Sequence, residues 1–447
     1  MAIGDIGSLL DSLVVDPADL IDPSVALVFG DIYVVAYAGP GSDGWLKTFS
    51  ISPSGEISAT FIDSFEFDPD YCMHPVVCRV SPNIFAVAYA RSDWKGVLFS
   101  VYISDAGVII PVMIDSLIFD DGAGVPGSIL LVGPGCVAVA YSDGAGAGWC
   151  KTALVSSRGE IPAAVVDSLQ FDAVTGLNPF LLSVSGVIYA VAYSGAGDVG
   201  NIVSFSISSV GDISAAAIDS LVFDAATGLD PTFVNVLGDF FAIAYRGPGY
   251  VGYLKTFSIT AAGAISDAVI DSFVFDAAGC FFPCIASLGP GYFAVAYTGA
   301  GNVGLLKTFP MDASGFINST ILDSFTFEAL FCNTPVLFHI SQDVYSILYT
   351  FTSAVGNLVS LPISSNWPAL YHISGTIHLK GVPIEAQVRC YIRSTGVLYD
   401  SVVSSPDGTF SLSAPDDSTE LFVIAFDNPG GDVYNALIYD LVLGTLI

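Results

Sequence analysis

The sequence predicts an all-β protein, a seven-bladed β-propeller followed by a small β-sandwich of immunoglobulin or transthyretin-like type. Three observations support this prediction: a strict 52-residue repeat, strand-like runs within each copy, and a change of pattern after residue 365. Self-similarity at a fixed period of this size is typical of propellers and other repeat architectures, because each copy forms one supersecondary unit.

The dipeptide Asp-Ser marks the repeat most clearly. Within residues 1–365 it occurs seven times at intervals of 52 residues without an insertion, and a tyrosine (Tyr37 to Tyr349) and a glycine (Gly44 to Gly356) recur in the same way. The repeated aspartates are Asp11, Asp63, Asp115, Asp167, Asp219, Asp271 and Asp323. Seven copies in one phase predict seven structural units of the same design.

Each copy contains four strand-like runs. Residues 229–279 hold "TFVNVL", "FFAIAY", "YLKTFSI" and "AVIDSFVF", separated by glycine turns and without a 3.6-residue period. Four antiparallel strands per copy predict propeller blades. The seventh copy lacks its fourth run, and we expect residues 5–15 to supply it, which would remove an exposed edge strand. The predicted propeller therefore covers residues 1–365, with adjacent ends.

The pattern Gly-x-Gly-x-x-Gly occurs in four copies, starting at Gly39, Gly195, Gly247 and Gly299. In a dinucleotide-binding fold this turn joins a strand to a helix, whose N-terminus binds the pyrophosphate. Here it joins two strands, so we expect positive-φ positions in a hairpin loop and no nucleotide cofactor.

Composition excludes several classes of partner. Lys and Arg total 12 against 43 Asp and Glu, a formal net charge of −31, which argues against nucleic acid and anionic membranes. Residues 173–197 carry no charge, but Pro179 and four glycines favour a buried β-hairpin over a membrane span. The first residues lack a basic segment, so no secretory signal is expected. The eight cysteines form no zinc-site spacing and are expected to be buried thiols, without a metal.

The seven Asp-Ser aspartates lie on the predicted outermost strand of each blade. A ring of metal ligands is therefore not expected, because the carboxylates would be far apart, and each aspartate is predicted to cap a neighbouring backbone turn. The Lys-Thr pair of "LKTF", which reads "CKTA" in the third copy, is the expected partner across the third and fourth strands; its lysines are Lys47, Lys151, Lys255 and Lys307.

The variable loops define a candidate binding face. In a propeller the loops from strand two to three and from blade to blade share one end, and loops on a rigid scaffold often carry function. In the second copy Arg91, Asp93, Trp94 and Lys95 replace the usual glycines. The candidate residues are Tyr71, His74, Arg91, Trp94, Arg246, Tyr250 and Phe282. An aromatic ring beside a guanidinium and a carboxylate suits a sugar or a peptide; ordinary surface variation is the alternative.

Catalysis has little support in the sequence. There are four histidines, no Gly-x-Ser-x-Gly elbow, no arginine cluster or Asp-box turn of the sialidase type, and the first strands read as apolar. A propeller glycosidase requires two facing carboxylates. We therefore expect no catalytic residues and no cofactor.

The C-terminal part leaves the repeat at "SSNWPALYHISG", which predicts a linker at 366–374 and a β-sandwich at 375–447. Its alternating runs and the segment "SPDGTFSL" resemble carboxypeptidase-regulatory-like (transthyretin-like) domains. The ending "YNALIYDLV" is similar to the close of such modules in structural proteins of tailed phages. The resemblance implies a virion component of a tail, collar, fibre or capsid surface.

The sequence thus favours a non-enzymatic structural or attachment protein of a virus particle, made in the host cytoplasm and released by lysis. Expected partners are other virion proteins and a host-surface glycan or protein, and an oligomer is expected because much weakly charged surface needs covering. A cellular surface adhesin or filament subunit is one alternative. A propeller enzyme acting on polysaccharide is the other.

Overall fold

The computed structural model describes residues 2–317, 320–351, 355–365, 371–379, 382–383, 387–392, 398–405, 408–414, 421–426, 437–442 and 445–446. The chain divides into two compact units, Met1–Ser365 and Asn366–Ile447. Each unit is described by itself.

The first unit is a seven-bladed β-propeller, which confirms the predicted architecture. Every blade is a four-stranded antiparallel sheet with its strands in sequence order, except in the seventh. The first blade comprises β2 (Ile21–Phe29), β3 (Ile32–Ala38), β4 (Gly44–Ser50) and β5 (Asp63–Asp68). The second comprises β6 (Met73–Ser81), β7 (Ile84–Ala90), β8 (Gly96–Tyr102) and β9 (Asp115–Asp120). The third comprises β10 (Gly124–Gly133), β11 (Cys136–Asp143), β12 (Gly148–Leu154) and β13 (Asp167–Asp172). The fourth blade comprises β14 (Leu177–Ser185), β15 (Ile188–Ser194), β16 (Gly200–Ser206) and β17 (Asp219–Asp224). The fifth comprises β18 (Leu229–Leu237), β19 (Phe240–Arg246), β20 (Gly252–Ser258) and β21 (Asp271–Asp276). The sixth comprises β22 (Cys280–Ser287), β23 (Tyr292–Gly299), β24 (Gly304–Pro310) and β25 (Asp323–Glu328).

The seventh blade joins the two ends of the ring. It combines β26 (Asn333–Ser341), β27 (Val344–Thr350) and β28 (Gly356–Pro362) with the N-terminal strand β1 (Asp11–Asp16), which pairs antiparallel with β28. The backbone N–H of Gly4 donates to the carbonyl of Ser364 at 2.7 Å, so the ends of the unit are adjacent. Because β1 covers the edge of β28, no blade is left with an unpaired third strand.

The core lies between the blades. The second strand of each blade is packed on both faces and is therefore almost wholly apolar; every residue of Ile84–Ala90 is buried. In six blades a phenylalanine near the end of the fourth strand contacts a tyrosine of the next blade, as Phe67 contacts Tyr89, whereas β1 has Val15 at this position. Six such pairs have ring centroids 4.9–5.3 Å apart. The uncharged stretch at 173–197 forms the β14–β15 hairpin within this core.

The Asp-Ser aspartates hold neighbouring blades together at one end of the propeller, which we call the turn end. It carries the turns between first and second strands and between third and fourth strands. Asp63 Oδ1 accepts from the N–H of Ser64, and its Oδ2 accepts from the N–H of Ile109 in the next blade. The same inter-blade bond occurs seven times at 2.8–2.9 Å. At the closing junction Asp323 binds the N–H of Ile6.

For the lysines the expectation was wrong, because they do not pair with the Asp-Ser aspartates. The threonines do contact them across the third and fourth strands: Thr152 Oγ1 accepts from the N–H of Asp167 at 3.2 Å, and Thr308 Oγ1 accepts from the N–H of Asp323 at 3.1 Å. Lys255 Nζ instead donates to Asp224 Oδ2 at 3.0 Å and to the carbonyl of Phe223 at 2.6 Å, both at the end of the preceding blade. The threonine beside each lysine contacts the turn of the following blade: Thr256 Oγ1 donates to the carbonyl of Gly315 at 2.6 Å. Lysine and threonine point to opposite faces of the strand because side chains alternate.

The Gly-x-Gly-x-x-Gly segments form single 3₁₀ turns, Pro40–Ser42, Ala196–Asp198, Pro248–Tyr250 and Ala300–Asn302. Only the middle glycine has positive φ, for example Gly249 at 68°. The first glycine is extended, and a Cβ on Gly247 would collide with the ring of Tyr253; the third, Gly252, lies against Phe275. The prediction of positive φ therefore applies to one glycine of the three, and close packing requires the others.

The second unit contains strands β29 (Tyr371–Thr376), β30 (His378–Leu379), β31 (Val382–Pro383), β32 (Gln387–Ile392), β33 (Leu398–Val403), β34 (Thr409–Ala414), β35 (Leu421–Phe426), β36 (Leu437–Val442) and β37 (Thr445–Leu446). They form sheets of order β34-β29-β37, β30-β31 and β33-β32-β35-β36. β29 starts before the predicted boundary at 375. The β-sandwich stays a prediction, and most of the predicted linker and residues 434–436 of the phage-like motif lie outside the described residues.

Candidate functional site

The opposite end of the propeller, which we call the loop face, carries the loops between second and third strands and from blade to blade. Near the start of the first strand in six blades, a residue with positive φ precedes a proline. These residues are Asp22, His74, Asn178, Asp230, Phe282 and Thr334, with φ between 43° and 52°. Left-handed backbone is unusual for such residues, and a following proline disfavours helical conformations further. Strain of this kind is often found at functional sites.

These six residues form a ring, the mouth ring, around the axis of the propeller. Each lies on the innermost strand of its blade, and these strands contact one another in sequence from β2 to β26, which in turn contacts β2. Neighbouring members of the ring also bind each other. His74 Nδ1 lies 3.1 Å from Asp22 Oδ2, and Asn178 Nδ2 donates to Asp230 Oδ1 at 2.8 Å.

Asp230 and Arg246 form a buried ion pair on the loop face. Arg246 Nη2 lies 3.1 Å from Asp230 Oδ2, and the two side chains are 19% and 10% exposed. Arg246 Nε has no hydrogen-bond partner within the described part of the chain, whereas Asp230 Oδ2 is engaged by the Arg246 guanidinium. Burial raises the pKa of Asp230, against the opposing effect of Arg246 and of the amide of Asn178.

Arg246 breaks a local pattern. At the same position four other blades have Ser142, Ser194, Thr298 and Thr350, whose hydroxyls donate to a carbonyl at the start of the next blade. The guanidinium carbon of Arg246 lies 5.8 Å from the ring centroid of Tyr250 and 5.2 Å from that of Phe281. These two rings are stacked on each other at 5.3 Å. The side chain therefore organises an aromatic and charged cluster in place of a blade-to-blade hydrogen bond.

A second cluster lies in the second blade. Arg91 binds Asp93 through two hydrogen bonds of 2.6 and 2.7 Å, which lower the pKa of Asp93 to about 2. Lys95 pairs with Asp121 at 2.5 Å. Trp94 has φ 68° and is 50% exposed, and its carbonyl accepts from the N–H of Gly124. The charged groups here pair among themselves, and the indole is presented to solvent.

The structure places all seven predicted binding residues on the loop face, in two groups. In the first group, Arg246 ends β19, Tyr250 lies in the loop that follows it, and Phe282 lies near the start of β22. The second group is Tyr71, His74, Arg91 and Trp94, around the start of the second blade. His74 and Phe282 are also members of the mouth ring. Sequence reasoning missed the mouth-ring residues Asp22, Asn178, Asp230 and Thr334. The signal was available, since each precedes a proline in phase with the repeat.

The description of the first strands as apolar needs correction. These strands begin earlier than predicted, and β2 and β18 include Asp22 and Asp230. Polar side chains therefore do occur at the mouth of the channel. The later residues of these strands are mostly apolar, but Arg79, Asn235 and His339 also lie there.

No cluster of three or more metal-ligating side chains occurs in the described residues. The eight cysteines are free thiols. Burial raises the pKa of each propeller thiol, to about 12 at Cys78 and Cys150 and about 11 at Cys136. Such thiols are poor nucleophiles and poor metal ligands at neutral pH.

Comparison with known proteins extends to the fold only. No family model and no curated protein sequence matches the chain. Among solved structures, a candidate 6-phosphogluconolactonase from Bacteroides uniformis is similar at 13% identity, over 87% of this chain and 99% of that chain, with a TM-score of 0.53. The structure of BBS1N in complex with ARL6DN aligns at 11% identity, over 80% of this chain and 97% of that chain, with a TM-score of 0.48. The part of the chain that the structure describes contains no helix long and apolar enough to cross a membrane.

Proposed function

We propose that the chain is a non-enzymatic binding protein and that the loop face, centred on the mouth ring, is its contact surface. The observation that carries this proposal is the largely buried Asp230–Arg246 pair, in which Arg246 Nε has no hydrogen-bond partner among the described residues. Buried polar atoms are usually hydrogen-bonded, so an exception at a solvent-facing end favours a missing partner group. The exposed rings of Tyr250 and Phe282, 58% and 38% accessible, lie beside the pair and offer contact area.

The state of the carboxylates supports binding over hydrolysis. Asp22 is paired with His74, and Asp230 with Arg246 and Asn178, in the first and fifth blades respectively. Glycoside hydrolysis by the usual route needs two carboxyl groups on either side of one bond, one of them free to act as an acid. Neither aspartate is arranged as a free acid of that kind.

The biological setting that we propose is a virus particle, with the chain as a structural or attachment component. The support is the resemblance of the C-terminal segment to modules of phage structural proteins. Electron cryo-microscopy of undissociated source material tests it. Density for the chain on a capsid or tail is expected, whereas a lone monomer or a filament without a particle would contradict the setting.

Binding by the loop face is tested separately, with the full-length chain on arrays of glycans and of surface proteins. The variants Tyr250→Ala and Phe282→Ala are expected to lose binding at least tenfold while keeping the melting temperature. The matched control is Val210→Ala, at an exposed apolar residue of the turn end. Equal binding by all variants would exclude the loop face as the contact surface.

A further inference from the structure

A cleft of about 410 Å³ opens at the rim of the loop face, between the second and third blades. It is separate from the mouth ring, and its residues belong to the end of β9, the β11–β12 loop and β12. The lining residues are Asp120, Gly122, Ala123, Asp143, Gly144, Ala145, Trp149 and Lys151. Its volume falls within the range of small-molecule sites.

The side chains that could bind a ligand are held in fixed positions. Trp149 Nε1 donates to Asp143 Oδ2 at 2.9 Å, and Asp143 Oδ1 accepts from the N–H groups of Ala145 and Ala147. Lys151 Nζ donates to the carbonyl of Phe119 and to Asp120 Oδ2. An ammonium group has three donors, so one hydrogen of Lys151 remains for a ligand.

The cleft results from a local departure from the repeat. The second and third residues after Asp120, at 122–123, are Gly-Ala, whereas the corresponding pairs are Ala-Asp at 18–19, Asp-Tyr at 70–71, Val-Thr at 174–175, Ala-Thr at 226–227 and Leu-Phe at 330–331. The pair at 278–279, Ala-Gly, is equally small, but there Leu305 takes the place of the tryptophan. Among the seven junctions, only this one combines a small pair with both a tryptophan and a lysine.

The charges in the cleft select a neutral ligand. Two carboxylates and a chain of net charge −31 repel anions. Lys151 Nζ lies 5.7 Å from the indole centroid of Trp149 and occupies the position where a ligand cation would be attracted. An indole wall with fixed carboxylate and ammonium groups matches a sugar ring, which has apolar C–H faces and hydroxyl groups at its edge.

We propose that this cleft is a binding site for a neutral hexose unit of a glycan. The sugar ring packs on the part of the Trp149 indole that Lys151 leaves uncovered, and its hydroxyls bind Asp143 Oδ2 and the remaining hydrogen of the Lys151 ammonium. The site is separate from the mouth ring. A failure to bind sugar here would therefore leave the function proposed for the mouth ring unaffected, and the reverse also holds.

Fluorine NMR of the full-length chain labelled with 5-fluorotryptophan tests the proposal. The four tryptophans give four resonances, assigned by single Trp→Phe variants. The probes are methyl glucoside, methyl galactoside and methyl mannoside, with glucuronate and glucosamine as charged comparators. At least one methyl glycoside is expected to shift the Trp149 resonance saturably, and both charged sugars are expected to bind at least tenfold more weakly.

Two variants separate loss of the site from loss of the fold. Ala145→Leu fills the cleft from an exposed loop position and is expected to weaken binding at least tenfold without moving the other resonances. Trp45→Phe, at the same strand position in the first blade, is the matched control and is expected to leave binding unchanged. No saturable shift with any methyl glycoside, a shift at Trp94 alone, or equal binding by the charged sugars would overturn the proposal.

Discussion

The two ends of the propeller use the 52-residue repeat in opposite ways. At the turn end, seven aspartates make the same bond to the next blade, within 0.1 Å of one distance. At the loop face, corresponding positions hold different residues. For example, Arg246 stands at a position where four other blades have serine or threonine. Identical bonds stabilise the ring, and the departures from the repeat create the surfaces that could recognise a partner.

The largest effect is expected from breaking the ring itself. Deletion of residues 2–16 removes β1, including the fully buried Val15, and exposes the edge of β28. An unpaired edge strand promotes pairing with other chains, so we expect loss of the cooperative melting transition and formation of aggregates. Size-exclusion chromatography with light scattering and circular dichroism would measure both effects.

A synthetic peptide of residues 2–16 provides the control for this deletion. If the missing strand is the whole defect, the peptide added in trans should restore a monomer. A deletion variant that remains monomeric and melts at the temperature of the intact chain would contradict the closing role of β1.

Acid is expected to weaken the contacts between several pairs of neighbouring blades at once. Burial opposes ionisation of Asp16, Asp224 and Asp276, but hydrogen bonds from tyrosine, lysine and backbone N–H groups outweigh it and lower each pKa. A lowered pKa contributes stability that is complete above the unfolded value of about 3.9 and is lost as pH falls through the folded value. Urea unfolding between about pH 6 and pH 3 should therefore show midpoints that fall steeply below about pH 4.

Asp230 is expected to respond in the opposite direction. Its pKa is raised, so its contribution to stability is complete below the unfolded value and decreases as pH rises through the folded value. In the variant Asp230→Asn this opposing contribution disappears. Compared with the intact chain, the variant should gain relative stability above about pH 5 and lose that advantage in acid. Parallel pH profiles for the two proteins would contradict the assignment.

Local sequence patterns were sufficient to predict the blades, because a two-residue period and glycine turns are properties of each copy alone. They also predicted which loops form the loop face. They did not predict that Lys255 binds Asp224, because that contact joins residues 31 apart in different blades. The Asp230–Arg246 pair was missed for a different reason. The two residues lie in one hairpin, and Arg246 was named as a candidate, but Asp230 precedes the run predicted as the first strand, so its contact with Arg246 was not foreseen.

In several blades the aspartate that ends the fourth strand binds both a tyrosine and a lysine of the next blade, as Asp224 binds Tyr245 and Lys255. Single substitutions should show that the carboxylate is the essential member of this group. Asp224 Oδ2 accepts from Tyr245 and Lys255, so Asp224→Ala removes the acceptor of the Tyr245 hydroxyl and leaves the Lys255 ammonium without a counter-charge; it should cost about 3 kcal/mol of unfolding free energy. Lys255→Val copies the fourth blade, which has Val203 and retains the carboxylate, and should cost about 1 kcal/mol. Chemical denaturation would measure both, and equal costs would show that the lysine is needed as much as the aspartate.

The smallest effects should distinguish the glycines of the Gly-x-Gly-x-x-Gly turns. Gly249→Ala places a side chain at φ 68° in open space and should cost about 1 kcal/mol, the usual penalty of left-handed backbone. Gly247→Ala has ordinary backbone angles, but its Cβ would displace the ring of Tyr253, which is stacked on Tyr245 at 5.6 Å. Its cost should be nearer 2 kcal/mol because the ring lies in a packed core. If the order of the two costs were reversed in denaturation experiments, backbone conformation and not packing would be the main reason for these glycines.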